Sequence, residues 1–220
     1  TAGKVAGGRD NLTAVIMDAY ATEFREGNII YHEYPPPSRL WRVMKAAHAK
    51  LLIEEGIFHM CNVNEYHHET AGPRRDVYDS VLKYGWGGSW FTVYSGNHLH
   101  VWCVTTENNS LKLFDLWHDC DTVIQINNCA ELFKRAQKAC FKQKFNYAEI
   151  RAGYARYDRG ATFRDWPQWG HGCVQKGLEY EGQKEYRFVI VMNYDAPYEK
   201  TIELQLGDCR DIIEIIAQRE

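Results

Sequence analysis

Trp86-Gly-Gly-Ser-Trp-Phe-Thr-Val-Tyr-Ser95, followed by Leu99-His-Val-Trp-Cys-Val-Thr105 and Leu111-Lys-Leu-Phe-Asp-Leu116, is the stretch on which the fold turns. Apolar and polar residues alternate in each run, and Gly, Asn and Ser separate the runs, which predicts a meander of strands. Cys129 to Phe141 then changes period: Leu132, Phe133, Ala136, Ala139 and Cys140 share one helical face. Strands that follow one another in sequence, with a helix set among them, argue for an α+β fold around a mainly antiparallel sheet.

Upstream, Ile29 to Tyr34 is a β-branched and aromatic run closed by three prolines, which cannot donate to a ladder, so the first core strand is expected there. Ser38 is placed to cap a helix whose stripe is Leu40, Val43, Met44, Ala47, Leu51 and Leu52, with Gly56 as its stop. Ile57 to Val63 reads as a strand, 64–75 as a polar loop and Asp76 to Tyr84 as a short helix. A leading helix is expected over Asn11 to Phe24. Downstream, Phe145 to Tyr157 is extended, Asp158 to Lys176 irregular, and Tyr186 to Asn193 and Thr201 to Leu206 are the last two clear strands. Cys209 to Ala217 fits either a short helix or a terminal strand. Residues 1–10 read as a flexible or appended end, and 11–220 as a single α+β domain.

Composition narrows the function classes. Twenty-six Lys and Arg against 29 Asp and Glu give a formal net charge of −3, so no global positive field recommends a purely electrostatic nucleic-acid binder. No apolar run is long enough to cross a bilayer, and no membrane partner is expected. Seven cysteines, an odd number, without a visible secretory leader point to a reducing, cytoplasmic setting. Neither G-x-G-x-x-G after a strand nor G-x-x-x-x-G-K-[ST] occurs, so any nucleotide site uses another geometry.

Several constellations are capable of chemistry. His32 leaves a strand beside prolines and can offer an imidazole N–H to a ligand. In the Gly87 to Thr92 segment, glycines admit close backbone approach while Ser89 and Thr92 supply hydroxyls; a tight turn into a strand explains it equally. Glu185 and Arg187, two apart in a strand, share a face and can share a pocket, or can form a solvated ion pair. His98 with His100, His118 with Cys120, His171 with Cys173, and His67, His68 and Cys61 are metal-like, but their spacings match no common structural zinc pattern, and no metal is assigned. Tyr154 to Trp169, with Arg151, Arg156, Arg159 and Arg164, offers either a stacking platform for bases and phosphates or a cover for the core.

Taken in order, Tyr31-His32 before a helix, Ser89 to Thr92, then His100-Val-Trp102, and finally Lys176 with Glu185-Tyr-Arg187 resemble a bacterial and phage family of uncharacterised domains. Members of that family open with a Tyr-His strand, carry a Ser-Phe-Ser-like strand before Met-Trp, and close on Glu-x-Arg. The layout is similar to the ADP-ribosyltransferase-like fold, and the resemblance runs from Ile29 to Ile216. It implies a split, mainly antiparallel sheet with flanking helices and NAD as substrate. By that resemblance Glu185, His32 and Thr92 are catalytic, and Tyr31, His32, Ser89, Trp102 and Arg187 bind the cofactor, with Arg187 meeting the pyrophosphate. Trp90-Phe-Thr92 departs from Ser-Phe-Ser and His100-Val-Trp102 from Met-Trp, which leaves open which hydroxyl of that strand is used.

The implied activity is NAD-dependent ADP-ribosyl transfer to a nucleic acid or protein, as a toxin or phage-conflict effector with an antitoxin or other protein partner. The alternatives are a catalytically inactive nucleotide-binding or assembly module of the same fold, and a zinc-binding hydrolase.

Overall fold

A computed structural model describes residues 23–26, 29–32, 35–67, 81–86, 89–94, 98–157 and 175–219. Its strands are β1 (Glu23–Glu26), β2 (Ile29–His32), β3 (Leu40–Met44), β4 (Ile57–Asn62), β5 (Val81–Trp86), β6 (Ser89–Tyr94), β7 (Leu99–Thr105), β8 (Thr122–Ile126), β9 (Tyr147–Tyr154), β10 (Glu185–Met192), β11 (Thr201–Gln205) and β12 (Ile213–Gln218). The helices are α1 (Ala46–Lys50), widening into a π turn over Leu51–Glu55, α2 (Asn64–His67), α3 (Ser110–Leu116) and α4 (Cys129–Lys142), with a 3-10 segment at Leu178–Gln183. This is a mixed α/β fold with a large, mostly antiparallel sheet.

Among the described residues ten strands form that sheet, in the order β1-β2-β9-β10-β7-β3-β8-β12, with β4 and β11 as a branch from β7. Among the described strands of this sheet only β2 and β9 pair in parallel. The sheet forks at β7. Its first half pairs with β4 through Val101 and His100, whereas its last residue, Thr105, pairs with Trp41 of β3. β5 and β6 pair with each other in a separate two-stranded sheet.

The alternation of β10 explains how one strand serves both core and site. Tyr186, Phe188, Ile190 and Met192 join the main core cluster, which Phe133 of α4 enters by stacking on Phe188 at 4.6 Å. Glu185, Arg187, Val189 and Val191 take the opposite face, as period 2 requires. α4 buries Leu132, Phe133, Ala136, Ala139 and Cys140, the face its spacing predicts, and Asn128 caps it by accepting the Glu131 N–H at 3.0 Å.

Three sequence expectations change. The predicted helix from Ser38 begins instead as strand β3, because Leu40 to Met44 pair residue by residue with β8. Helicity starts at Ala46, whose N–H is accepted by Asp121 Oδ1 at 2.7 Å. Leu111 to Leu116, predicted as a strand, is helix α3, started by Asn109, whose side chain accepts from the Lys112 N–H. Val81 to Tyr84, the end of a predicted helix, lies in β5. Of the two readings of 209–217, the strand is found, as β12. The leading helix falls outside the described residues except Glu23 and Phe24, which lie in β1.

Candidate functional site

The fork leaves an opening. Beyond Trp41, β3 no longer pairs with β7, so Trp41, Arg42 and Val43 line a pocket together with Cys103, Val104 and Thr105 of β7. Tyr66 of α2 and Trp117 after α3 add aromatic walls, and Lys176, Glu185 and Arg187 supply the charges. Trp41 is oriented by its indole N–H, which donates to Gln125 Oε1 at 3.1 Å.

Glu185 is the centre of the charged set. Lys176 Nζ donates to Glu185 Oε1 at 3.0 Å and to Gln183 Oε1 at 2.7 Å, while Arg187 Nε donates to Glu185 Oε2 at 2.9 Å. All three charged side chains are buried. The local chain explains how they meet. Glu185 and Arg187 are neighbours on one face of β10; the Arg156–Gln175 bridge and the 3-10 turn bring Lys176 back against them, where its ammonium lies 4.6 Å from the Tyr180 ring centroid. The Glu185 N–H donates to the Tyr157 hydroxyl at 2.7 Å, which fixes the start of the strand.

Burial alone would push the Glu185 carboxyl up. The charges and hydrogen bonds of Lys176 and Arg187 outweigh it and bring the pKa down to about 2, so Glu185 is an anion at neutral pH. It therefore suits charge stabilisation and not proton donation. Burial, reinforced by the Glu185 charge, raises the Cys103 thiol to about 12, which removes it as a thiolate nucleophile. Burial, with the neighbouring Cys103 and Cys61, likewise holds the Tyr66 phenol neutral.

Arg42 completes the pocket differently. Its Nη1 donates to the Cys103 carbonyl at the fork, and its guanidinium carbon lies 4.8 Å from the centroid of the Trp102 ring. The lining thus holds three cations, Arg42, Lys176 and Arg187, against the single carboxylate of Glu185. Such a balance favours an anionic ligand, and the tryptophans favour one with an aromatic ring.

The residues singled out from the sequence separate into groups. Glu185 and Arg187 come together as expected. His32 stands in register with Gly153, which is in register with Arg187, so its backbone lies in the same row of the sheet; its side chain is outside the described residues. Tyr31 and Trp102 belong to the main core cluster; the Trp102 ring lies 4.6 Å from that of Phe58, centroid to centroid, and meets the pocket through the Arg42 guanidinium. The Ser89 and Thr92 side chains lie outside the described residues, and β6 pairs with β5 and with no strand of the large sheet among them. Trp41, Arg42, Tyr66 and Trp117 were not singled out. Arg42 reads as the polar side of a helix stripe, and nothing local marks a fork.

The His98 ring lies 5.5 Å from that of Tyr194, tilted by 33°, and His100 shares a hydrogen bond with the Glu199 carbonyl at 2.9 Å. His68, Arg159, Arg164, His171 and Cys173 lie outside the described residues, as does the side chain of His67. Among the described residues no three His, Cys, Asp or Glu side chains are grouped to hold a metal, and no helix is long and apolar enough to cross a membrane. In comparisons with known proteins, no family model, curated protein or solved structure matches this chain.

Proposed function

We propose that the chain binds NAD at the fork of the sheet and transfers its ADP-ribosyl group to a macromolecular acceptor, a nucleic acid or a protein. The observation that carries this reading is Glu185, a buried carboxylate kept ionised at the wall of an aromatic, otherwise cationic pocket. When the ribosyl C1′–nitrogen bond breaks, the pair leaves with neutral nicotinamide and positive charge develops on the sugar. A fixed carboxylate stabilises that charge. The acceptor nucleophile then forms the new bond to C1′ and loses its proton. Although both Glu185 oxygens accept from cations, a carboxylate has about four lone-pair sites, so capacity remains for a ribose hydroxyl. His32, and Ser89 or Thr92, would support the nucleotide from neighbouring strands, and an effector role in toxin or phage conflict, with a protein antitoxin in a cytoplasmic setting, belongs to the same reading.

A nucleotide-binding module without turnover is the second reading, and it has its own observation. Lys176 and Arg187 already occupy one position on each Glu185 oxygen, as in a structural ion-pair network.

One experiment separates them. Purified protein is incubated with NAD, alone and with RNA, DNA or protein mixtures, while nicotinamide release and ADP-ribose attachment are followed. Transfer that falls about 100-fold or more in a folded Glu185→Gln variant is the expected result. NAD that binds but stays intact establishes the second reading, and an absence of NAD binding by calorimetry overturns both.

A further inference from the structure

We propose that Arg42 is the phosphate-reading residue of the fork pocket, so that the pocket discriminates in favour of ligands carrying a pyrophosphate beside their aromatic base. The proposal rests on the nucleotide reading above and changes which side chain meets the phosphates. Arg187, the residue the sequence resemblance assigned to them, is 1% exposed and its Nε donates to Glu185, which holds it in place. Lys176 is engaged by the same carboxylate. Arg42 is the remaining cation of the pocket lining, and among the described residues it has no carboxylate partner.

Its surroundings prepare it for this role. The Cys103 carbonyl takes one nitrogen and the Trp102 ring backs the guanidinium plane, which fixes a side chain that would otherwise sample many rotamers. Its Nε is buried with no acceptor among the described residues, so the cation is incompletely solvated and incompletely paired. An oxyanion arriving at the fork relieves both deficits. A guanidinium presents several N–H donors in a plane and so matches phosphate oxygens better than an ammonium does. Trp41 and Trp117 line the same pocket and offer it aromatic surface.

The test is a calorimetric titration of the full chain with ADP, adenosine and inorganic pyrophosphate. ADP is expected to bind at least 10-fold more tightly than adenosine, and its advantage to shrink as ionic strength rises. Arg42→Gln should reduce ADP affinity to that of adenosine and leave adenosine unchanged, with Arg42→Lys intermediate. Equal ADP affinity in wild type and Arg42→Gln overturns the proposal while leaving the nucleotide reading intact. Pyrophosphate binding that needs Arg42, without binding of any nucleotide, supports the phosphate role and overturns the nucleotide reading; no binding of any of the three overturns both. Should Arg42→Gln not fold, Arg42→Lys and the salt series decide: a wild-type ADP affinity flat in salt and unchanged in Arg42→Lys overturns the proposal.

Discussion

Glu185 shows how a single side chain ties stability to acidity. Its pKa lies near 2 in the folded chain against an ordinary value of 4.5, so the unfolded chain binds the proton first. The stabilisation is complete above about pH 4.5 and is lost as pH falls through 2. Thermal melts recorded over that window should show a falling midpoint in the wild type. Glu185→Gln, which has no such titration, should start lower, because two buried cations lose their counter-charge, and should respond less to pH there. Equal pH responses would show that Glu185 is not held as an anion.

Among the elements, the turn between the π turn and β4 rests on Gly56. Its φ of +67° is left-handed, and a Cβ there would collide with the backbone of Gly207, whose own φ is +78°. The two glycines let the Leu206 N–H donate to the Gly56 carbonyl at 2.8 Å, which joins the end of β11 to the start of β4. Gly56→Ala should therefore cost more than about 2 kcal/mol, well above a left-handed alanine in open space, and chemical denaturation would measure it. This stop was legible in the sequence, as were α4, whose periodicity agrees with its burial, and β7 and β10, largely apolar runs buried on both faces. β3 was not. Its spacing of Leu40, Val43 and Met44 mimics a helix, and only pairing with β8, some 80 residues away, decides for a strand. α3 was misread for the converse reason: Leu111, Leu113 and Leu116 alternate enough to suggest a strand, yet Leu111 is exposed while Leu113 and Phe114 are buried, a helical pattern. Glu185 and Arg187 could be found because two residues apart in a strand is a local relation. Arg42 could not, since its place in the pocket depends on where β7 exchanges one partner strand for another.

At the scale of the whole molecule, the long pairings set the architecture. β10, near the C-terminal end of the sequence, lies between β9 and β7, and β12 closes on β8 after a separation of nearly 90 residues. The order of strands in space is far from the order in sequence, so the meander inferred around β7 does not hold: β6 pairs with β5 in a separate sheet, 111–116 is helix α3, and β7 pairs with β10, β3 and β4. Among the described residues β12 is the last strand on the β8 side, with Ile215 and Ile216 exposed. Its ladder with β8 shifts between Ile215 and Ala217, leaving Ile216 as an extra residue. A bulge of this kind bends and twists a border strand, so that a second molecule meets an uneven row of amides instead of a straight one. Such an irregularity disfavours edge-to-edge pairing. Deleting Ile216 would restore a straight border, and light scattering at high concentration should then report self-association that the parent chain does not show. What looks like a flaw in one ladder would thus count against an eleventh strand docking from a neighbour.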